Sequence, residues 1–135
     1  MGKVFETQKD RDIELKIIRK IAGSNKIIKL PKGGLDYEIE GKAFIEIKRY
    51  HINSDQFRYT MVSLIKLVKL QKYSRKLPTY LFIQFNDKLK YINVNQISGK
   101  IEQRGRTIKR AGSSNDREII CHVDNYKFIT FNPQT

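Results

Sequence analysis

The chain has 135 residues, with 27 Lys and Arg against 14 Asp and Glu for a formal charge of +13, one Cys and no Trp. That length sets a single domain able to bury a core unaided, and the lone Cys121 excludes both a disulfide framework and a cysteine zinc cluster. No apolar run approaches the roughly 18 residues of a membrane span, MGKVFETQKDRD has no signal-peptide character, and so positive a chain is built to neutralise phosphates, so a cytoplasmic nucleic-acid partner without membrane contact is expected.

Thr7 and Asp10 read as a helix start, and Ile13, Ile17, Ile18 and Ile21 carry a helical stripe to Ala22 before Gly23 stops it. Ile27 to Leu30 is a short β-rich run before Pro31. Lys32-Gly33-Gly34 is a loop, and Leu35 to Ile39 a strand that turns at Glu40-Gly41-Lys42 into Ala43 to Lys48. Ser54 caps a long second helix with Asp55 in its first turn; its stripe is Phe57, Met61, Leu64, Ile65 and Val68, and it ends near Lys76 before Pro78. Tyr59, Val62, Lys66, Leu70 and Tyr73 give that helix a second, partly apolar face, fit either for a second copy of the chain or for cover by the C-terminal segment. Tyr80 to Phe85 is a nearly continuous apolar strand, and Leu89 to Val94 follows the Asn86-Asp87-Lys88 turn. Gly99 to Arg117 reads as an irregular basic loop, and Ile119 to Val123 and Lys127 to Phe131 as short closing strands. The order implies an α/β fold with a mixed central sheet flanked by helices. It is a single domain over 1–135, with a core at about 8–94 and a basic, β-containing extension over 95–135.

A turn centred on Gly41 sets Asp36 opposite Glu46. Strand alternation then puts Asp36, Glu38, Phe44, Glu46 and Lys48 on one face and Tyr37, Ile39, Ala43, Ile45 and Ile47 on the other. Opposed side chains lie about 4.5–5.5 Å apart at Cβ, near enough for Asp36 and Glu46 to hold one hard cation with Lys48 beside it. Without chemistry, the same face is the wet side of an edge hairpin, and Glu-x-Lys alone decides little, since Glu14-Leu15-Lys16 repeats it. Glu14 lies inside the apolar stripe of the first helix, where a carboxylate needs a partner, either Arg11 or the Asp36 and Glu46 face. Acids that hold a divalent ion, with a lysine that positions or deprotonates water, suit phosphodiester hydrolysis.

Asp36, nine residues, then Glu46-Ile47-Lys48, between an acidic helix and a helix feeding another strand, resembles the PD-(D/E)XK nuclease superfamily, with Leu35 where Pro is usual. The resemblance spans roughly residues 8–94 and implies a restriction-endonuclease-like α-β-β-β-α-β core. Glu14, Gly23-Ser24, Asp36 and Glu46-x-Lys48, taken in order, are most similar to the small archaeal-type Holliday-junction resolvases. That implies a Mg²⁺-dependent endonuclease, with Mn²⁺ able to substitute, which acts on branched DNA as a homodimer. In this reading Asp36, Glu46 and the Ile47 carbonyl hold the metal, Lys48 and Glu14 complete the catalytic set, and Lys32, Arg49, Arg104, Arg106 and Arg110 hold phosphates. Gln56 and Ser24 are further candidates, while His51 and His122 show no zinc spacing. The arginine-rich extension lies outside the resolvase pattern, which leaves a sequence-specific restriction or homing endonuclease on duplex DNA as the enzymatic alternative. A non-catalytic basic nucleic-acid-binding module is the alternative of another class.

Overall fold

The computed structural model describes residues 8–31, 34–97, 100–105 and 117–132. In chain order they form α1 (Gln8–Ala22), β1 (Ile27–Lys29), β2 (Tyr37–Ile39), β3 (Ala43–Arg49), β4 (Tyr59–Ser63), α2 (Leu64–Tyr73), β5 (Thr79–Gln84), β6 (Leu89–Asn93), β7 (Lys100–Gly105), β8 (Arg117–Asp124) and β9 (Ile129–Thr130). Two sheets result: a six-stranded one in the order β1-β2-β3-β5-β6-β9 and a three-stranded one in the order β4-β8-β7. The large sheet is mixed, with β3 and β5 parallel and its other pairs antiparallel.

Strand alternation divides the core into two layers. Tyr37, Ile39, Ala43, Ile45, Ile47 and Phe82 pack with Ile17, Ile18 and Ala22 of α1 on one face of the large sheet. Phe44, Leu81, Ile83, Phe85 and Ile92 pack on the other face against Leu67 and Leu70 of α2 and against Val62, Cys121 and Val123 of the small sheet. Strands β3 and β5 are therefore covered on both sides, which is why β5 is a nearly continuous apolar run and β3 is buried from Ala43 to Ile47, with Glu46 as its one buried charge. Among the described residues no helix is long and apolar enough to cross a membrane.

Three expectations are corrected. The second helix starts at Leu64 rather than near Ser54, because Tyr59–Ser63 alternates exposed and buried and pairs with β8 as strand β4. The stripe Phe57, Met61, Ile65 and Val68 is consequently exposed, while Val62 and Leu70, from the other face, are buried against the C-terminal segment. The basic loop is also partly regular: Lys100–Gly105 is strand β7 in a small sheet the sequence reading lacked, and residues 106–116 lie outside those described.

Gly41 closes the β2–β3 hairpin at φ 70°, with nothing within 4 Å of where a Cβ would stand. Gly41→Ala should therefore cost backbone strain alone, about 1 kcal/mol or roughly 4 °C in Tm, measurable in a thermal melt.

Candidate active site

The hairpin pairs Tyr37 with Ile45, Glu38 with Phe44 and Ile39 with Ala43, so the register that sets Asp36 opposite Glu46 is the observed one. At that point β2 has ended, and the Ile47 N–H, which would otherwise look for a strand partner, donates to Asp36 Oδ2 at 2.8 Å. A strand residue presents its N–H and its C=O to the same edge, so the Ile47 carbonyl faces the side on which Asp36 sits.

Glu46 lies not on a wet edge but in the middle of the large sheet, between β2 and β5 and beneath α2. It is only 5% exposed. Lys66 of α2 reaches it, with Nζ 2.7 Å from Glu46 Oε2, while Oε1 is buried with no hydrogen-bond partner among the described residues. Burial first, and the negative charge of Asp36 second, push the Glu46 carboxyl above its ordinary value, and Lys66 and Lys48 do not pull it back. Lys48 is half-buried two residues on, on the same face of β3. Two carboxylates, one with an orphaned oxygen, and a backbone carbonyl on one edge form an all-oxygen donor set suited to a hard divalent cation. The residues present fit a metal site.

Lys66 was missed as a functional residue. Its signal was a lysine in the row Val62, Lys66, Leu70, Tyr73, where a cation on an otherwise buried face needs an acid beneath it.

The other candidates are not gathered here. Glu14 is half-buried; Tyr37 Oη donates to its Oε1 at 2.9 Å and Lys29 Nζ lies 3.7 Å away, two contacts on the α1 side of the hairpin. Arg11 is bonded to Gln8. Among the described residues no three acids, histidines or cysteines are gathered closely enough to hold a metal ion between them. Arg49 also points to the α1 side, its Nη1 3.2 Å from Asp10 Oδ1. Gln56 is exposed in the turn before β4 rather than at a helix start, and Ser24 is exposed after α1. Arg104 lies on β7 in register with Glu118; Lys32, Arg106 and Arg110 fall outside the described residues.

Burial of the ionised Glu46 has a cost that pH reveals. At low pH this carboxyl is neutral folded and unfolded. As pH rises past the ordinary value the unfolded chain ionises first, so stability falls until the folded carboxyl has ionised too. Glu46→Gln should remove that fall and melt a few degrees above the parent in EDTA at neutral pH, since Lys66 is 30% exposed and can turn to solvent. A divalent ion at a hundred times its Kd should raise the parent's Tm by roughly 10 °C, from about 2.7 kcal/mol of linkage, and should do little to Glu46→Gln. Calorimetric melts with and without the ion check both signs.

The model of the family described as "Phage putative PDDEXK endonuclease" matches residues 1–131. No curated protein matches the sequence. Among solved structures the chain is similar to Archaeoglobus fulgidus Hjc, a Holliday junction resolvase from an archaeal hyperthermophile, at 12% identity and a TM-score of 0.47, covering 82% of this chain and 86% of that one.

Proposed function

This chain belongs to the phage PDDEXK endonuclease family, and we propose that it is a metal-dependent DNA endonuclease with Mg²⁺ as its ion and branched DNA as its preferred substrate. The observation that carries the metal is Glu46 Oε1, a buried carboxylate oxygen without a hydrogen-bond partner, beside Asp36 and one strand position from the Ile47 carbonyl.

Asp36, Glu46 and the Ile47 carbonyl would hold the ion, which when bound polarises the scissile phosphate and makes a water more acidic. The protein's part is to have these donors set in advance: the Ile47 N–H fixes one oxygen of Asp36, and Lys66 holds Glu46 from above. Lys48 orients the attacking water and offsets the negative charge that grows on the phosphate oxygens. Glu14 holds Tyr37 and Lys29 and so supports β2, the strand that leads out of Asp36.

The preference for branched DNA is supported by the order Glu14, Gly23-Ser24, Asp36, Glu46-x-Lys48, and paired incisions on a junction would come from two copies of the chain. The test is incision of a four-way junction, the matched linear duplex and a single strand at low salt, in Mg²⁺ or EDTA. Ion-dependent cutting of the junction ahead of the duplex is expected. Cutting of the duplex at one defined sequence would move the substrate to that of a restriction or homing enzyme. Binding to all three without incision in either condition would leave a basic binding module.

A further inference from the structure

Strand β3 leads from Lys48 to Tyr50, next on the same face, and Tyr50 is the near wall of a cleft of about 580 Å³ where the large sheet meets the small one. The cleft is aromatic. Tyr50 packs edge-on to Phe85 with ring centroids 6.1 Å apart, and on the small-sheet side Tyr59 packs edge-on to His122 at 6.2 Å. The Arg58 guanidinium stands 5.4 Å from the Tyr59 ring centroid. Phe57 is 56% exposed and has neither a ring nor a cation over it among the described residues.

A phenylalanine in water normally folds inward, but the loop that carries this one is tied at both ends. The Ser54 N–H and hydroxyl donate to the two oxygens of Asp87 at 2.8 and 2.9 Å. The Asn125 side chain donates to the carbonyls of Ser54 and Phe57, and the Asn125 backbone N–H donates to the Arg58 carbonyl at 2.9 Å. The backbone thus holds an apolar ring out at the cleft mouth, beside a cation whose side chain is 81% exposed.

Resting on the nuclease reading for its ligand, we propose that this cleft receives an unstacked nucleobase of the DNA, laid on Phe57, with Arg58 on the adjoining phosphate. An unpaired base offers a flat π-face for the ring and brings its own negative charge for the arginine, a combination that an apolar peptide lacks. The volume is within the range of about 300–1,000 Å³ that encloses small ligands. Its wall residue Tyr50 stands two residues beyond Lys48, near enough for such a base to belong to the strand that is cut, and a base still paired within a duplex cannot present its face there.

The test uses the full chain in EDTA, so that binding is read without cutting. The probes are a gapped duplex with one unpaired 2-aminopurine and the same duplex fully paired. The parent should quench the unpaired probe by stacking. Phe57→Ala should lose the quench and bind the gapped DNA about 5- to 100-fold more weakly, with the paired duplex bound as before, and Phe57→Tyr should restore both. Unchanged quench and affinity in Phe57→Ala would overturn the proposal. So would a parent that sediments as a dimer and a Phe57→Ala variant that sediments as a monomer with its quench intact, because the face would then belong to a second copy. Incision by the parent in Mg²⁺ is measured in parallel: quench without incision sinks the nuclease reading and leaves the cleft, and incision without quench does the reverse.

Discussion

Asp36→Asn is expected to slow DNA incision by about 10³-fold or more at saturating Mg²⁺ while leaving DNA affinity within about twofold. Asparagine is isosteric, and its side-chain oxygen can still accept the Ile47 N–H that Asp36 Oδ2 accepts at 2.8 Å, so the strand end that carries the site should stay in place. What is lost is a unit of negative charge beside Glu46, and with it a hard-ion ligand. The same substitution should ease the Glu46 carboxyl back toward its ordinary value, because Asp36 is one of the two causes that raise it. Lys48→Ala should lose a comparable factor in rate with no loss of metal affinity, since a lysine is not a ligand. Single-turnover rates, filter binding in EDTA and metal titration by calorimetry separate the two variants. A full incision rate in Asp36→Asn would sink the assignment of the site.

DNA affinity is expected to fall about 10³-fold or more between 50 and 200 mM KCl, as for a protein that neutralises six or more phosphates. The chain carries +13, and part of its positive charge is already used: Lys26, Lys29, Arg49 and Lys66 each stand within 3.7 Å of a carboxylate, whereas Arg58, 4.0 Å from Asp124 and 81% exposed, can turn to a phosphate. By contrast Lys69, Lys72 and Lys76 are exposed on one side of α2 and the turn after it, gathered around Tyr73. Their i, i+3, i+7 spacing makes a row suited to following a phosphate backbone. Replacing all three by Ala should lower the slope of log K against log salt by roughly 2 to 3, with equal loss on every DNA sequence. A slope unchanged by the triple substitution would move the DNA footprint to another face.

What the sequence made legible was local. The turn at Gly41 has one register, and one register fixes which residues share a face, so the opposition of Asp36 and Glu46 was readable from spacing and is the arrangement observed. Helix α1 was readable for the same reason, from a short stripe between a capping signal and Gly23. The segment from Phe57 to Val68 was misread because two periods coexist in it. Phe57, Met61, Leu64, Ile65 and Val68 fit a helix, while buried Thr60 and Val62 alternating with exposed Tyr59 and Met61 fit a strand. What decides between them is β8, some sixty residues away in the chain, and no local window contains it. Lys66 was hidden likewise, since its partner Glu46 comes from a strand that only the parallel crossover brings under α2. Of the two readings open for the Val62 and Leu70 face, cover by the C-terminal segment is the one found, with Cys121, Val123 and Phe128 packed there.

That cover has a consequence for how the protein comes off the ribosome. Each sheet waits for a strand that comes late in the order: β8 joins β4 to β7, and β9 closes the edge of the large sheet on β6. The parallel pair β3–β5, which carries Glu46, cannot zip from a local turn, and the roof that α2 gives its buried face is completed only when β8 arrives. A nascent chain that ends before β8 therefore leaves Val62 on an unpaired β4 and takes part of the cover from Leu81 and Ile83 of the large sheet, the condition in which chains associate wrongly. Folding should be a cooperative event that waits for β8 and β9, and the candidate catalytic groups should become fully ordered only once those strands have been made.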